Sequence, residues 1–177
     1  EVPYITGGTD PLDGISIFDS EAQETHYHMT TYGMSELYYD EEIVGGDFSK
    51  WGFEFTFRLK PFAEDKGDPF WAIEVLNNLA RYVFETENWF EENHFVPINE
   101  PIRLDTDTEI VGLIFVQDPE LGTIETPHGN VIFLQMVGIT AKELAVLMAN
   151  PTIEEVEALA NTLRKDNPLL ITDLNRK

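Results

Sequence analysis

The sequence predicts an α+β fold, a mixed or antiparallel sheet with packed helices, in a single domain spanning residues 1–177. Three observations carry that prediction. Segments of β character come in groups between helical ones instead of strictly alternating with them, which disfavours a doubly wound α/β sheet. Phe53 to Leu59 alternates apolar and polar residues with period two, while a stretch near 69–87 carries apolar residues at helical spacing. The chain has 177 residues, 42% of them apolar and 12% aromatic, enough to close one core.

The elements follow in order. The first 25 residues are rich in Gly, Pro, Asp and Thr, with turn cues at Gly7-Gly8 and Asp10-Pro11, and read as an irregular lead-in. Residues 26–32 read as a strand, and so does the Tyr-rich segment Glu36 to Val44, which Gly45-Gly46 ends. In the next strand Phe53, Phe55, Phe57 and Leu59 alternate with Glu54, Thr56 and Arg58, so one face is expected to be buried and the other wet. Pro61 closes it. A helix is expected from about Pro69 to Glu87, with Ala72, Leu76, Leu79 and Val83 in one apolar stripe and Pro69 in the first turn.

A polar, aromatic loop at 88–108 leads to Ile110–Val116, a near-continuous apolar run expected of a strand covered on both faces. Residues 121–126 and 130–138 flank Pro127-His128-Gly129 and read as a hairpin. Thr140…Glu143 and Thr152…Glu155 match the capping-box spacing, so two helices close the chain. In the second, Val156, Leu159, Ala160 and Leu163 form the core face. Leu169 to Leu174 reads as a final short strand.

Charge and composition remove several function classes. There are 33 acidic residues against 11 basic ones, a formal net charge of -22. Such a field repels phosphate backbones and anionic lipid, which speaks against direct nucleic-acid or membrane-surface binding. It favours a basic protein partner and speeds encounter with one. Acidic surfaces also simply keep proteins soluble. No apolar run approaches the roughly 20 residues that span a bilayer, and no signal-peptide pattern opens the chain, so a cytoplasmic protein is expected. With no Cys, disulfides, thiol catalysis and Cys-based metal sites are excluded.

The search for catalytic motifs is largely negative. Neither GxGxxG, GxxxxGK[ST] nor GxSxG occurs. His26 and His28 would share one face of a strand, but two ligands without a third do not make a metal site. Asp105-Thr106-Asp107-Thr108-Glu109 opens like a calcium loop and then fails, because Ile110 and Val116 stand where Gly and Glu are needed. No cofactor is called for. Carboxylate pairs such as Glu41-Glu42 are too abundant to single out, so an enzyme would have to draw on His26, His28 or an unidentified carboxylate pair. The informative stretch is Asn88-Trp89-Phe90-Glu91-Glu92-Asn93-His94-Phe95, which sets large aromatics among charges directly after the helix. That composition is typical of binding hot spots. Its alternative is that Trp89, Phe90 and Phe95 belong to the core.

Specific strings add a resemblance. Gly8-Thr9-Asp10-Pro11-Leu12-Asp13, His26-Tyr27-His28, Tyr32-Gly33-Met34-Ser35-Glu36-Leu37-Tyr38 and Gly52-Phe53-Glu54-Phe55-Thr56-Phe57-Arg58-Leu59-Lys60 come first. Leu79-Ala80-Arg81-Tyr82-Val83-Phe84, Thr126-Pro127-His128-Gly129-Asn130-Val131, Phe133-Leu134-Gln135-Met136-Val137-Gly138 and Leu170-Ile171-Thr172-Asp173-Leu174 follow. In that order, over nearly the whole chain, they resemble the N-terminal domain of the Suppressor of fused family. The resemblance implies a non-enzymatic α+β binding domain. In the family's two-domain animal members a transcription-factor peptide is gripped between two domains by strand addition.

Tyr82 matches the family's groove-lining tyrosine, and Asn93-His94 stand nearest to where the family carries an acidic residue. Short single-domain relatives resemble bacterial immunity proteins, which neutralise a toxin made by the same cell. The expectation is therefore a cytoplasmic immunity protein that covers a basic toxin through Tyr82, Trp89, Glu91, Glu92, Asn93 and His94. The alternative is a regulatory module that sequesters a peptide or transcription factor.

Overall fold

Phe53, Phe55, Phe57 and Leu59 project from one face of a strand that runs through the middle of the molecule, β3 (Phe48–Leu59). The computed structural model describes residues 10–63 and 67–177; the Gly7-Gly8 cue, and Gly8 and Thr9 of the first family block, lie outside them. Around β3 stand β1 (Gly14–Ser20), β2 (His26–Tyr32), β4 (Phe95–Pro97), β5 (Ile110–Gln117), β6 (Thr123–Thr126) and β7 (Gly129–Thr140). The sheet order is β1-β2-β3-β7-β5-β4, with β6 paired to the start of β7. Only β3–β7 is parallel among these pairings, so the sheet is mixed, as expected of α+β.

Helices cover both faces. On one, α1 (Phe70–Thr86) buries Ala72, Leu76, Ala80 and Val83 against the β3 phenylalanines. A fully buried Leu such as Leu76 stabilises this layer by about 1.5–3 kcal/mol. On the other, α2 (Ala141–Ala149) and α3 (Ile153–Arg164) bring Leu144, Leu147, Val156 and Ala160 onto Ile114, Val116, Val137 and Ile139. Thr140 and Glu143 form the expected capping box, and the Thr152 side chain accepts from the Glu155 amide. β5 is buried on both faces as its sequence predicts: Leu113 and Phe115 join the α1 cluster, Ile114 and Val116 the α2–α3 cluster.

Four expectations are corrected. Residues 14–20 of the supposed irregular lead-in form β1, because they find β2 as a partner along their whole length. Residues 36–44 form no strand; they contain a 3-10 turn at Glu41–Ile43, since β2 and β3 already have neighbours on both sides. The 169–174 segment makes a single bridge, Thr172 to Leu59, in which the Thr172 amide bonds the Arg58 carbonyl and the Lys60 amide bonds the Thr172 carbonyl, and β3 ends there at Leu59. The supposedly wet face of β3 is dry: Glu54, Thr56 and Arg58 are all buried. Neighbouring segments cover that face. Gln135 on β7 donates to the Leu169 and Leu170 carbonyls of the C-terminal segment, and Asp118 at the end of β5 reaches Thr56 and Arg58.

Candidate functional site

Two groupings of chemically capable side chains stand out, and their hydrogen bonding separates them. The first is the polar layer on the covered face of β3. Asp118 accepts from Thr56 Oγ1 at 2.9 Å, from Arg58 Nη2 at 3.0 Å, and from the Glu120 and Leu121 amides at 2.9 and 3.0 Å. His28 Nε2 lies 3.0 Å from Oδ2, the oxygen that also takes the Thr56 hydroxyl. Burial pushes the Asp118 carboxyl up, but the His28 contact, the two amides and the Arg58 charge outweigh it and hold it well below the usual carboxylate range.

His26 is fully buried, with Nε2 at 3.1 Å from Arg58 and Nδ1 at 2.8 Å from the Glu24 carbonyl. Arg58 is the donor to Nε2, so the proton sits on Nδ1. Glu54, on the same face, accepts from Thr31 Oγ1, Ser35 Oγ and the Gly33 and Ser35 amides. Burial raises its pKa and those bonds pull it back only in part. The carboxylates of this layer are saturated by the protein itself, which suits a structural role. Among the described residues no group of three His, Asp or Glu is placed to hold a metal ion.

The second grouping is open. α1 ends at Glu87, whose left-handed φ of 58° turns the chain while its amide bonds the Val83 carbonyl. The turn throws residues 88–94 across the end of the sheet. Phe90, only 9% exposed, stacks on Phe115 at 4.6 Å and anchors the loop. Asn93, at φ 65°, donates to the Phe115 carbonyl at 2.8 Å, and the Phe115 amide returns a bond to His94 at 3.0 Å. Tyr82 lies over Phe90 at 5.6 Å yet stays 44% exposed, and Trp89 is 54% exposed. The Trp89 indole donates to Glu91 Oε1 at 3.0 Å, and the Glu91 amide donates to His94 Nδ1 at 3.2 Å. The aromatics therefore divide: Phe90 is core, Trp89 is surface, and Phe95 is half-buried against the α2–α3 cluster.

This loop separates two hollows. The first, of about 740 Å³, lies between Tyr82 on α1, edge strand β4 and the α2–α3 junction at 151–153, with Trp89, Asn93 and His94 on its rim. The second, of about 690 Å³, is floored by Trp51, Phe53, Ile132 and Leu134, with Trp89, Glu91, Glu92 and Asn93 around it. All six residues singled out from the sequence thus line one hollow or the other.

Sequence reasoning missed β4 and Ile153. Strand β4 is three residues long, too short to register as a period. Ile153, exposed at a helix start beside the Thr152 cap, was the available signal. Among the described residues β4 pairs only with β5. Ile98 bonds inward to Val111, so by alternation the Phe95 amide and the Phe95 and Pro97 carbonyls turn away from β5.

Comparison with known proteins identifies the family. The family model for Suppressor of fused protein (SUFU) matches residues 8–177. The human and mouse Suppressor of fused homologues are each 35% identical over 99% of this chain, which spans 38% of their length. The crystal structure of the Sufu–Fu complex superposes with a TM-score of 0.86 at 29% identity, covering 100% of this chain and 81% of that one. Drosophila Suppressor of Fused gives 0.84 at 30% identity, over 99% of this chain and 44% of that one. A SUFU homologue from Neisseria gonorrhoeae shares the fold, with a TM-score of 0.58 at 16% identity over 94% of this chain and 79% of that one. The chain belongs to the Suppressor of fused family.

Proposed function

We propose that this chain is a non-enzymatic protein-binding domain that grips an extended segment of a partner in the hollow beside Tyr82. One observation carries the reading: an apolar hollow lies directly against the unpaired edge of β4, between exposed Tyr82 and Ile153. An edge strand offers main-chain hydrogen bonds to an added strand, and neighbouring pockets read its side chains. Pro97 lacks an amide, so the added strand donates to the Pro97 carbonyl and exchanges both bonds only at Phe95. The Sufu–Fu complex shows that a structural relative assembles with a protein.

The test is selection of displayed random peptides on the chain, with counter-selection against Tyr82→Ala. Peptides whose affinity falls at least ~10-fold on Tyr82→Ala, a hot-spot-sized loss, and which shift the Phe95–Pro97 amide resonances support the reading. Peptides indifferent to Tyr82 refute it.

A second reading has its own support in the charge of -22. A cytoplasmic immunity protein would cover a basic toxin with the same edge and the Glu91 and Glu92 carboxylates, and its association would weaken with salt. Capture of partners at low and high salt, followed by co-expression with any basic toxin recovered, separates the two. Rescue of the toxin-expressing cells assigns immunity.

A further inference from the structure

We infer that residues 37–47, between β2 and β3, together with Phe48 at the start of β3, form a second docking surface, one that takes a Lys/Arg-rich protein segment with apolar anchors. Leu37, Tyr38, Tyr39, Ile43, Val44 and Phe48 are all exposed, Tyr39 to 67% and Phe48 to 60%. None of the six packs into either core cluster. Soluble domains scatter such groups singly; collected in one segment they mark an interaction site. Phe48 also walls the second hollow, so this surface adjoins the one beside Trp89 without including Tyr82.

The segment is held in place. The Gly45 amide bonds the Pro127 carbonyl at 2.9 Å, the Asp40 amide bonds His128 Nε2 at 3.0 Å, and the Asn130 amide bonds the Asp47 carbonyl at 3.0 Å. The Tyr39 ring lies 5.8 Å from that of His128. Gly129, at φ +116°, brings the hairpin tip so near that a Cβ there would fall 2.6 Å from the Gly46 carbonyl oxygen. A surface already ordered loses little freedom on binding.

The charge states the occupant. Glu36, Asp40, Glu41, Glu42 and Asp47 surround the apolar groups, with no base from 36 to 47. Among the described residues none of these five is in an ion pair. Lys50, the next base along the chain, is engaged elsewhere: its Nζ donates to the Gly33 carbonyl at 2.5 Å and lies over the Phe84 ring. Unbalanced carboxylates beside exposed aromatics complement a segment that alternates cationic and apolar side chains. A second copy of this chain would bring its own net charge of -22 against them.

Fluorescence anisotropy of a labelled peptide alternating Lys with Leu and Trp, titrated with the whole chain at physiological salt, tests the assignment. Peptides with Ser in place of the apolar residues, or Glu in place of Lys, serve as controls. The expected result is binding that falls at least ~10-fold in Tyr39→Ser/Val44→Ser, as loss of hot-spot side chains requires. Tyr82→Ala should leave it within about twofold, as for independent sites. Glu41→Lys/Glu42→Lys, which alters only exposed carboxylates, should weaken it too, and decides the matter if the serine variant fails to fold. Equal binding by all variants, or by the Lys–Ser peptide, overturns the proposal. So does concentration-dependent self-association in sedimentation that the serine variant abolishes, which gives the surface to a second copy.

Discussion

Asp118 and Tyr82 belong to two polar or aromatic regions that look equally promising as lists of residues. Around Asp118 both carboxylate oxygens are met by donors from β2, β3 and its own loop, and Arg58 and His26 are out of water. Around Tyr82 large apolar surface faces solvent beside a strand with one unpaired edge. Reactive residue types become a binding site only where the protein leaves them unsatisfied. Where it satisfies them, they hold the fold together.

The sharpest way to break this contrast is Asp118→Ala. It removes the buried counter-charge of Arg58, leaves it only the half-exposed Glu120 carboxylate at 2.8 Å, and should cost about 3 kcal/mol in urea unfolding. A loss under about 1 kcal/mol would mean that water already reaches this layer. Phe90→Ala comes next: it should remove about 3 kcal/mol by opening a cavity against Phe115 and should weaken binding at both hollows.

pH sharpens the comparison inside the buried layer itself. Asp118 is held below its usual range, so its contribution is complete above about pH 4 and is lost as pH falls through the depressed folded value. Glu54 is shifted upward, so its burial costs stability above its folded value, and that cost is relieved as pH falls. In urea unfolding across pH, the gap between wild type and Asp118→Asn should narrow on acidification. The gap for Glu54→Gln should widen. Parallel curves would refute the opposite signs.

The smallest expected effect on folding marks the binding edge. Trp89→Ala should change stability by no more than about 0.5 kcal/mol. Tyr82→Ala should cost about 1 kcal/mol through its contact with Phe90. Thermal melts check both, and a large loss in either would move that side chain from the binding surface into the core.

Much of the fold was legible because local rules sufficed. The α1 stripe, the caps at Thr140 and Thr152, the run at 110–116 and the hairpin at 127–128 each rest on contacts within a few residues or on burial that composition announces. The polar face of β3 was misread for a physical reason. Glu54, Thr56 and Arg58 look solvent-bound until partners from distant segments, Thr31, Ser35 and Asp118, neutralise them. Of the candidate site residues, Trp89, Glu91, Glu92, Asn93 and His94 were legible as an aromatic, charged string after a helix, and Tyr82, within α1, only through the family blocks. The split within that string between buried Phe90 and exposed Trp89 was not, because both have the same composition around them.

Local pattern along the chain was therefore enough for the α+β class, the order of helices and hairpin, the exclusion of thiol chemistry, and the family blocks. Periodicity, capping and composition act over one or two turns of chain, so a single strand of text carries them. Long-range packing alone set which charges are consumed internally, that 14–20 is a strand and 36–44 is not, and that among the described residues β4 leaves an edge open between Tyr82 and Ile153. Those outcomes depend on which segments find free partners across the sheet. Competition for hydrogen bonds between residues far apart in sequence settles that, and no local pattern records it.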